Sequence, residues 1–284
     1  MNKVLEKGLV LITGGAGHIG MACARHFADH RILVTDLVEE AVEGAVKKLQ
    51  DEGLQVSGVA ADITRKDDAN ELASIASKIG GFSVLIHAAG VAPPTPVATI
   101  YAVNLFGTIN VLDAFEPLVK PGVAGVCIAS MAGHRTLGHR FDHLLIEPED
   151  EPAALALRIE SDAPTTPKHR LAYAVSKRGT ILQVQRRAYA WGQRGGRLLS
   201  VSPGILGDTE MGAQRQAGLN QRGKDLPIGR LGTSDEIAHV VRFAASTGAS
   251  LMTGTDLLVD GGNLAYCNHR LDPSFGASWH ALEF

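Results

Sequence analysis

Cysteine is scarce in this chain, and its three thiols, Cys23, Cys127 and Cys267, form no CxxC pair. That excludes a disulfide-stapled scaffold and leaves reduced thiols that act as small hydrophobes. An excess of one charge sign is also missing: 27 basic residues face 30 acidic ones, for a formal charge of -3. With no electrostatic footprint, neither nucleic acid nor a membrane is an expected partner. Long hydrophobic runs are absent near the start, where Lys3 and Lys7 precede a run from Leu9 to Ile12 that stops at Gly14. That run is too short for a signal segment or a membrane span, so a cytoplasmic location is the default expectation. Internal repeats and low-complexity tracts are lacking too.

What is there is an ordinary soluble composition, 45% hydrophobic and 20% charged over 284 residues. It suffices to bury a full core in one large α/β domain. Short apolar, β-branched runs alternate with longer helix-like stretches. Strands are predicted at 9–13, 31–35, 55–60, 84–87, 123–129, 197–201 and 256–259. Helices are predicted at roughly 18–28, 39–51, 67–79, 97–118, 172–193 and 234–246. Such runs fit a parallel sheet buried on both faces. The fold class is therefore α/β, a single Rossmann-type doubly wound parallel sheet over 1–284, with helices on both faces. Ligands are expected at the carboxyl ends of its strands.

Two stretches break this rhythm. Residues 134–168 carry four prolines and one short helical patch at 153–159, and read as an inserted excursion rather than a core element. Residues 205–227 are glycine-bearing and aperiodic, which predicts a mobile loop. From Asn263 onward the aromatic-bearing tail shows no clear period.

The segment Thr13 to Gly20 reads TGGAGHIG, follows a strand and opens a helix, the context a dinucleotide fingerprint requires. Gly14 is expected to make the tight turn and Gly17 to let backbone approach the phosphates. Gly20 is expected to let the helix pack close to the sheet, with the pyrophosphate at the helix N-terminus beside His18 and Ile19. Asp36 ends the second strand, where a carboxylate accepts both ribose hydroxyls and repels a 2′-phosphate. Leu37, Val38, Glu39 and Glu40 follow, so no basic residue waits to hold a phosphate, and NAD is favoured over NADP. Asp62, with Ile63 beside it, closes the third strand and is placed at the adenine pocket. Ala88, Ala89 and Gly90 of HAAG end the fourth, where small residues let backbone lie against the cofactor.

Tyr173 and Lys177 of YAVSK lie four residues apart near the start of a helix, hence on one face. A free phenol has a pKa near 10, too high for a base at neutral pH. An ammonium one turn away, with a positive nicotinamide ring, stabilises the phenolate. Ser130 ends the fifth strand in CIASMAG, placed to hydrogen-bond a substrate oxygen. Asn104, in YAVNLFGT, is placed to hold a water linking Lys177 to solvent.

With these motifs in order, the chain resembles the short-chain dehydrogenase/reductase family over nearly its whole length. The resemblance also takes in Pro203–Gly204 and the closing stretch RLGTSDEIAHVVRFAAS…MTGTDLLVDGG. It implies an oxidoreductase moving hydride between nicotinamide and a secondary alcohol/ketone pair. Tyr173 would be general acid/base, Lys177 would hold ribose and phenol, Ser130 would orient substrate and Asn104 would serve the proton relay. Pro203, Gly204 and Ile205 would back the nicotinamide. The chain departs from the family pattern in several places. The loop spacing TGxxGxxG puts His18 at a usual glycine position and is similar to the extended, sugar-nucleotide-modifying branch. HAAG replaces NNAG, removing an asparagine that braces the sheet. Ser130 and Tyr173 are 43 residues apart, and Thr209 falls one position late for its usual contact with the carboxamide. The insertion, LAYAVSK and AYAWGQRGGRLLSVSPG resemble bacterial 3α-hydroxysteroid dehydrogenase/carbonyl reductases, which implies a bulky apolar substrate, a steroid among them.

Two alternatives stand beside this reading. TGGAGHIG also suits a sugar-nucleotide epimerase or dehydratase, although the short C-terminal region leaves little room for an extra substrate domain. A non-catalytic, NAD-sensing Rossmann protein needs no phenol–ammonium pair, so YAVSK counts against it. His134, His139, His143 and His169 read as solvated loop histidines and no metal is expected. Met131, Phe141, Leu144 and Leu145 read as packing for the insertion, with a possible part in walling a substrate pocket. A homodimer or homotetramer, paired through residues 97–118 and 172–193, is what the resemblance implies.

Overall fold

The computed structural model describes residues 8–135, 139–209 and 226–269. Seven parallel strands form one sheet: β1 Leu9–Thr13, β2 Arg31–Asp36, β3 Val56–Ala60, β4 Phe82–His87, β5 Ala124–Ile128, β6 Arg197–Pro203 and β7 Asp256–Val259. Their order is β3-β2-β1-β4-β5-β6-β7. The helices are α1 His18–His26, α2 Glu39–Asp51, α3 Lys66–Lys78, α4 Val97–Tyr101, α5 Thr108–Phe115, α6 Asp142–Ile146, α7 Pro152–Asp162, α8 Lys168–Gln193, α9 Ser234–Ala245 and α10 Asn263–His269.

Side-chain alternation sorts the apolar strands onto two cores. Val10 and Ile12 of β1, Ile32 and Val34 of β2, and Val126 of β5 face one layer with α1, α2 and α9. Leu9, Leu11, Leu33 and Cys127 face the other, with α3, α5 and α8. All five residues of β1 are buried, as a central parallel strand covered on both faces requires. The doubly wound expectation is met, and the predicted strands hold to within two residues at each end.

The expected helix at 97–118 is divided. A π-helical turn, Ala102–Gly107, separates α4 from α5, and a 3-10 turn, Glu116–Leu118, ends it. By length and composition alone Val97–Leu118 would suffice to cross a membrane. Here Val111, Leu112 and Phe115 enter one core and Ile100, Tyr101 and Leu105 another. The expected tail begins with α10, whose first amides are held by Asp260: its carboxylate accepts from Gly262 N at 2.9 Å and Leu264 N at 2.7 Å. Most of the expected loop at 205–227 lies outside the described residues, as does the tail beyond residue 269.

The insertion corrects the sequence reading most. It is not an excursion from the core but the source of a third one. Phe141, just before α6, and Leu144 and Leu145 within it, with Leu155, Ala156 and Ile159 from α7, pack on Ile100, Tyr101 and Leu105 and on Leu171 and Val175 of α8. The assignment of Phe141, Leu144 and Leu145 to packing holds. Arg178 of α8 forks onto Asp142, with Nε 2.9 Å from Oδ1 and Nη2 2.7 Å from Oδ2. Gln183 Nε2 caps the carbonyl end of α6 at Ile146 O, 3.0 Å away. The short helical patch was too weakly periodic to announce this, because its apolar partners lie on other elements. Leu145 is fully buried, so Leu145→Ala is expected to cost about 2–5 kcal/mol in denaturant unfolding. A loss under about 0.5 kcal/mol, typical of an exposed site, would show that the insertion is not part of the core.

Candidate active site

The winding of the sheet reverses between β1 and β4, whose carboxyl ends flank a crevice. A cavity of about 360 Å³ opens there. The glycine loop forms one wall, where its three expected roles are visible in the backbone. Gly14 adopts φ +67°, and a Cβ on it would stand 2.5 Å from Ala89 N. A Cβ on Gly20 would meet Gly14 O at 2.2 Å, so only hydrogen lets α1 press against the loop. A Cβ on Gly17 would meet only Gly14 O within 4 Å, at 3.3 Å, and would otherwise fill space that the cavity uses. Gly17 is the N-cap of α1 and offers no side chain to it. The first-turn amides, including those of His18 and Ile19, are thus left for an anionic ligand.

The turn after β4 contributes Ala88 and Gly90 to the cavity, and His87 ends the strand. Burial, with the nearby Lys177 charge adding to it, pushes His87 down to about 3, so the ring is neutral. Thr108 Oγ1 donates to Asn104 O at 2.7 Å and must therefore accept from His87 Nε2–H at 3.0 Å. The unprotonated Nδ1 then accepts from Thr13 Oγ1 at 2.7 Å. His87 thus ties β1 to α5. The asparagine is absent as expected, and the imidazole of His87 bonds both elements in its place.

The opposite wall is α8, presenting Arg170, Tyr173, Ala174 and Lys177, one stripe at spacings of three and four. Lys177 is fully buried, and its Nζ donates to Ile128 O, at the end of β5, at 2.9 Å. Burial pulls its pKa down to about 8. A Cβ on Gly90 would stand 3.0 Å from that nitrogen and 3.1 Å from Asn104 Oδ1, so the glycine makes room for both. Ser130 follows β5 and caps the 3-10 turn Met131–His134: its Oγ accepts from Ala132 N at 3.2 Å. Its own proton remains to donate toward the cavity.

The sequence-selected residues divide into those on the cavity wall and those behind it. Gly14, Gly17, His18, Ile19, Gly20, Ala88, Gly90, Ser130, Tyr173, Lys177, Pro203, Gly204 and Ile205 line it, as does Thr209. Asn104 stands behind. Its amide is clamped to Val91, accepting from Val91 N at 2.8 Å and donating to Val91 O at 2.9 Å, with a further bond to Ser176 Oγ at 3.1 Å. Asp36 caps the glycine loop, accepting from Ala16 N at 3.2 Å and Leu37 N at 2.9 Å, and Leu37 is exposed. Asp62 accepts from Thr64 N at 2.9 Å, while Ile63 packs in the core and Ala89 backs Gly14.

Sequence reasoning missed Arg135 and Arg170, which line the cavity, and assigned Met131 there only as a secondary role. The helical stripe through Tyr173 pointed to Arg170; nothing local pointed to Arg135. Nor are His134 and His169 plain solvated histidines. His134 Nε2 lies 2.7 Å from Asp256 Oδ2, and His169 Nδ1 donates to Thr95 O at 2.9 Å.

Comparison with known proteins agrees with this geometry. A family model described as short chain dehydrogenase matches residues 8–141, and one described as Enoyl-(Acyl carrier protein) reductase matches 153–263. The chain is 34% identical over 274 residues to Short-chain dehydrogenase/reductase bsc3 of Alternaria brassicicola, covering 92% of this chain and 97% of that protein. It is 31% identical over 274 residues to 3-alpha-hydroxysteroid dehydrogenase/carbonyl reductase of Comamonas testosteroni, covering 89% and 95%. The crystal structure of gox2181 superposes with a TM-score of 0.73 at 26% identity, covering 92% of this chain and 97% of that one. An actinorhodin polyketide ketoreductase with NADPH shares the fold, with a TM-score of 0.72 at 21% identity, covering 91% and 98%. The chain belongs to the short-chain dehydrogenase/reductase family, oxidoreductases that act on CH–OH groups with a nicotinamide cofactor.

Proposed function

We propose that this protein is an NAD-dependent oxidoreductase that interconverts a secondary alcohol and a ketone, with Tyr173 as general acid/base. The observation that carries the reading is the α8 stripe: Tyr173 and Lys177 line one cavity with Ser130 and the glycine loop. When bound, the nicotinamide supplies or accepts the hydride. Gly14, Gly17, His18, Ile19 and Gly20 would hold its pyrophosphate, Ala88, Gly90, Pro203, Gly204 and Ile205 its nicotinamide end, and Asp62 and Ile63 its adenine. The residues of the chain handle the proton. Ser130 donates to the substrate oxygen, Tyr173 takes or gives the proton there, and the Lys177 ammonium favours the phenolate. Asn104 serves the relay by fixing Val91 and the Lys177 surroundings.

NAD rather than NADP rests on Asp36. A carboxylate has about four lone-pair sites; Ala16 N and Leu37 N take two, leaving two for ribose hydroxyls. No basic residue lies between Asp36 and Lys47. A bulky apolar substrate, a steroid among the candidates, is suggested by the relative from Comamonas testosteroni and by Met131 and Leu206 on the cavity wall. The relative from Comamonas testosteroni favours this reading over the sugar-nucleotide alternative. A homodimer or homotetramer pairing through 97–118 and 172–193, in the cytoplasm, completes the proposal; Tyr189, exposed on α8, and the free thiols of Cys23 and Cys127 favour it.

Tyr173→Phe is expected to reduce turnover by on the order of 10²–10⁴-fold while NADH binding stays close to normal; turnover within a few-fold of the parent would remove Tyr173 from the chemistry. Asp36 should favour NAD over NADP by at least about 10³-fold in kcat/KM. That combines charge-assisted bonds of about 1.5–3 kcal/mol with a like-charge repulsion of roughly 4 kcal/mol. Asp36→Ala should narrow the preference without creating strong NADP use; a parent enzyme preferring NADPH would refute the assignment. Lys177 allows a stability test. Its folded-state pKa of about 8 lies below the ordinary 10.5, so the buried ammonium destabilises the fold fully below pH 8. That penalty disappears as pH rises to about 10.5. Lys177→Met should therefore raise the unfolding free energy of the apoprotein at pH 7 by up to about 3 kcal/mol while abolishing activity. The gain should shrink toward pH 10. A variant less stable than the parent at pH 7 would contradict the cost of that burial.

A further inference from the structure

Helices α1 and α9 pack into one core, where Cys23 and Ala24 of the first join Ile237, Ala238 and Val241 of the second. Three metal-ligating side chains converge where the end of α1 meets the start of α9. His26 closes α1, while Asp235 and His239 stand one turn apart on α9. None of the three lines the cavity. One nitrogen of each imidazole and one oxygen of Asp235 lie within 4.8 Å of one another. The two rings meet edge to face, with centroids 4.1 Å apart. His26 and Asp235 are 209 positions apart in the chain, so no local motif announces the set.

The bonds already made there suit a cation. His26 Nε2 lies 2.7 Å from Asp235 Oδ1. His239 Nδ1 lies 3.0 Å from Asp235 O, a carbonyl that can only accept, so Nδ1 carries the proton. In the neutral ring the lone pair then sits on Nε2. A backbone carbonyl that takes the second ring N–H is a common outer partner of a metal-bound histidine, and it fixes the tautomer. The hydrogen bond with His26 holds the Asp235 carboxyl below its ordinary value, so it is charged at neutral pH. Neighbouring charges are committed elsewhere. Arg25, which feels the Asp235 charge, forks onto Glu52 at 2.7 and 2.8 Å, and Glu236 holds Arg230 and caps α9. His26 also stands at the negative end of α1, where a cation is favoured.

We propose that His26, Asp235 and His239 form a surface zinc site that clamps α1 to α9. Two imidazoles and a carboxylate are donors that suit zinc, whereas magnesium and calcium take oxygen ligands. Asp235 and His239 are 65% and 67% exposed, so water completes the shell. Ligand atoms about 2.0–2.1 Å from a tetrahedral zinc stand roughly 3.3 Å apart, and side-chain rotation closes the set. The ion replaces the proton between His26 and Asp235, which leaves to solvent. Its effect is mechanical: a bond across the seam between the helix that follows the glycine loop and its neighbour. The site is independent of the oxidoreductase reading.

The test titrates the full, metal-free chain with ZnCl2 by calorimetry at neutral pH. One zinc is expected to bind per chain, and EDTA to remove it. His26→Ala and His239→Ala should each weaken binding at least about 100-fold, since loss of an outer partner alone costs roughly 10–100-fold. Asp235→Asn should weaken it too, while His143→Ala, exposed on α6, should leave it alone. Zinc at about a hundredfold excess over its dissociation constant should raise the melting temperature by roughly 5–10 °C, and MgCl2 should not. CoCl2 serves as a spectroscopic probe: visible absorption of a nitrogen-bound ion should appear with the parent and vanish in the double variant His26→Ala/His239→Ala. Melting of each variant without metal checks that it folds. No binding at millimolar zinc, or binding and stabilisation that survive in the double variant, would overturn the proposal.

Discussion

The interaction on which the active site depends is the bond from the buried Lys177 ammonium to Ile128 O. A charge removed from water with few partners is costly, so its neighbours must leave room for it and hold it in place. Gly90 leaves that room. Gly133 does the same on the other side: a Cβ there would lie 2.8 Å from the Lys177 carbonyl carbon. The turn that carries Ser130 therefore rests directly on the backbone of the lysine's helix. Ser130, Tyr173 and Lys177 keep their relation because Gly133 lets the turn touch the helix backbone and Gly90 leaves space for the ammonium.

Behind that contact lies a neutral, fully buried polar network. Thr13, His87, Thr108 and the Asn104 carbonyl form one directed chain of hydrogen bonds from the end of β1 to the π-helical turn. Thr180 of α8 also donates to Asn104 O, at 3.1 Å. Strand, turn and helix thus meet on one carbonyl. Burying such groups is tolerable when each finds its partner, and the satisfied network then fixes a single arrangement. The same logic holds at the sheet edge, where Asp256 of β7 accepts from Ser202 Oγ at 3.0 Å and pairs with His134. His134 ends the turn that Ser130 begins, so both ends of that turn are anchored.

The insertion then reads as part of the catalytic architecture. It leaves the chain directly after the Ser130 turn and returns directly before the Tyr173 helix. Its third core packs on Leu171 and Val175, the inner flank of that helix. Stabilising α8 from this side fixes the stripe that faces the cavity, and the start of the same segment brings Arg135 to the cavity wall. One segment thus supports the chemistry and shapes what reaches it.

By itself the sequence determined the parallel sheet, the loop glycines and the Tyr173–Lys177 pair, because each is a local pattern. A strand covered on both faces is an unbroken apolar run, a tight phosphate turn demands glycine, and a spacing of four places two side chains on one helical face. Only the tertiary structure decided the third core, the imidazole brace, the clamp on Asn104 and the anchoring of His134 on Asp256. Each of these depends on partners distant in the chain: His87 and Thr13 are 74 positions apart, Asn104 and Ser176 are 72, and His134 and Asp256 are 122. Periodicity reports which way a side chain faces within its own element. What it meets there is set by how the elements pack.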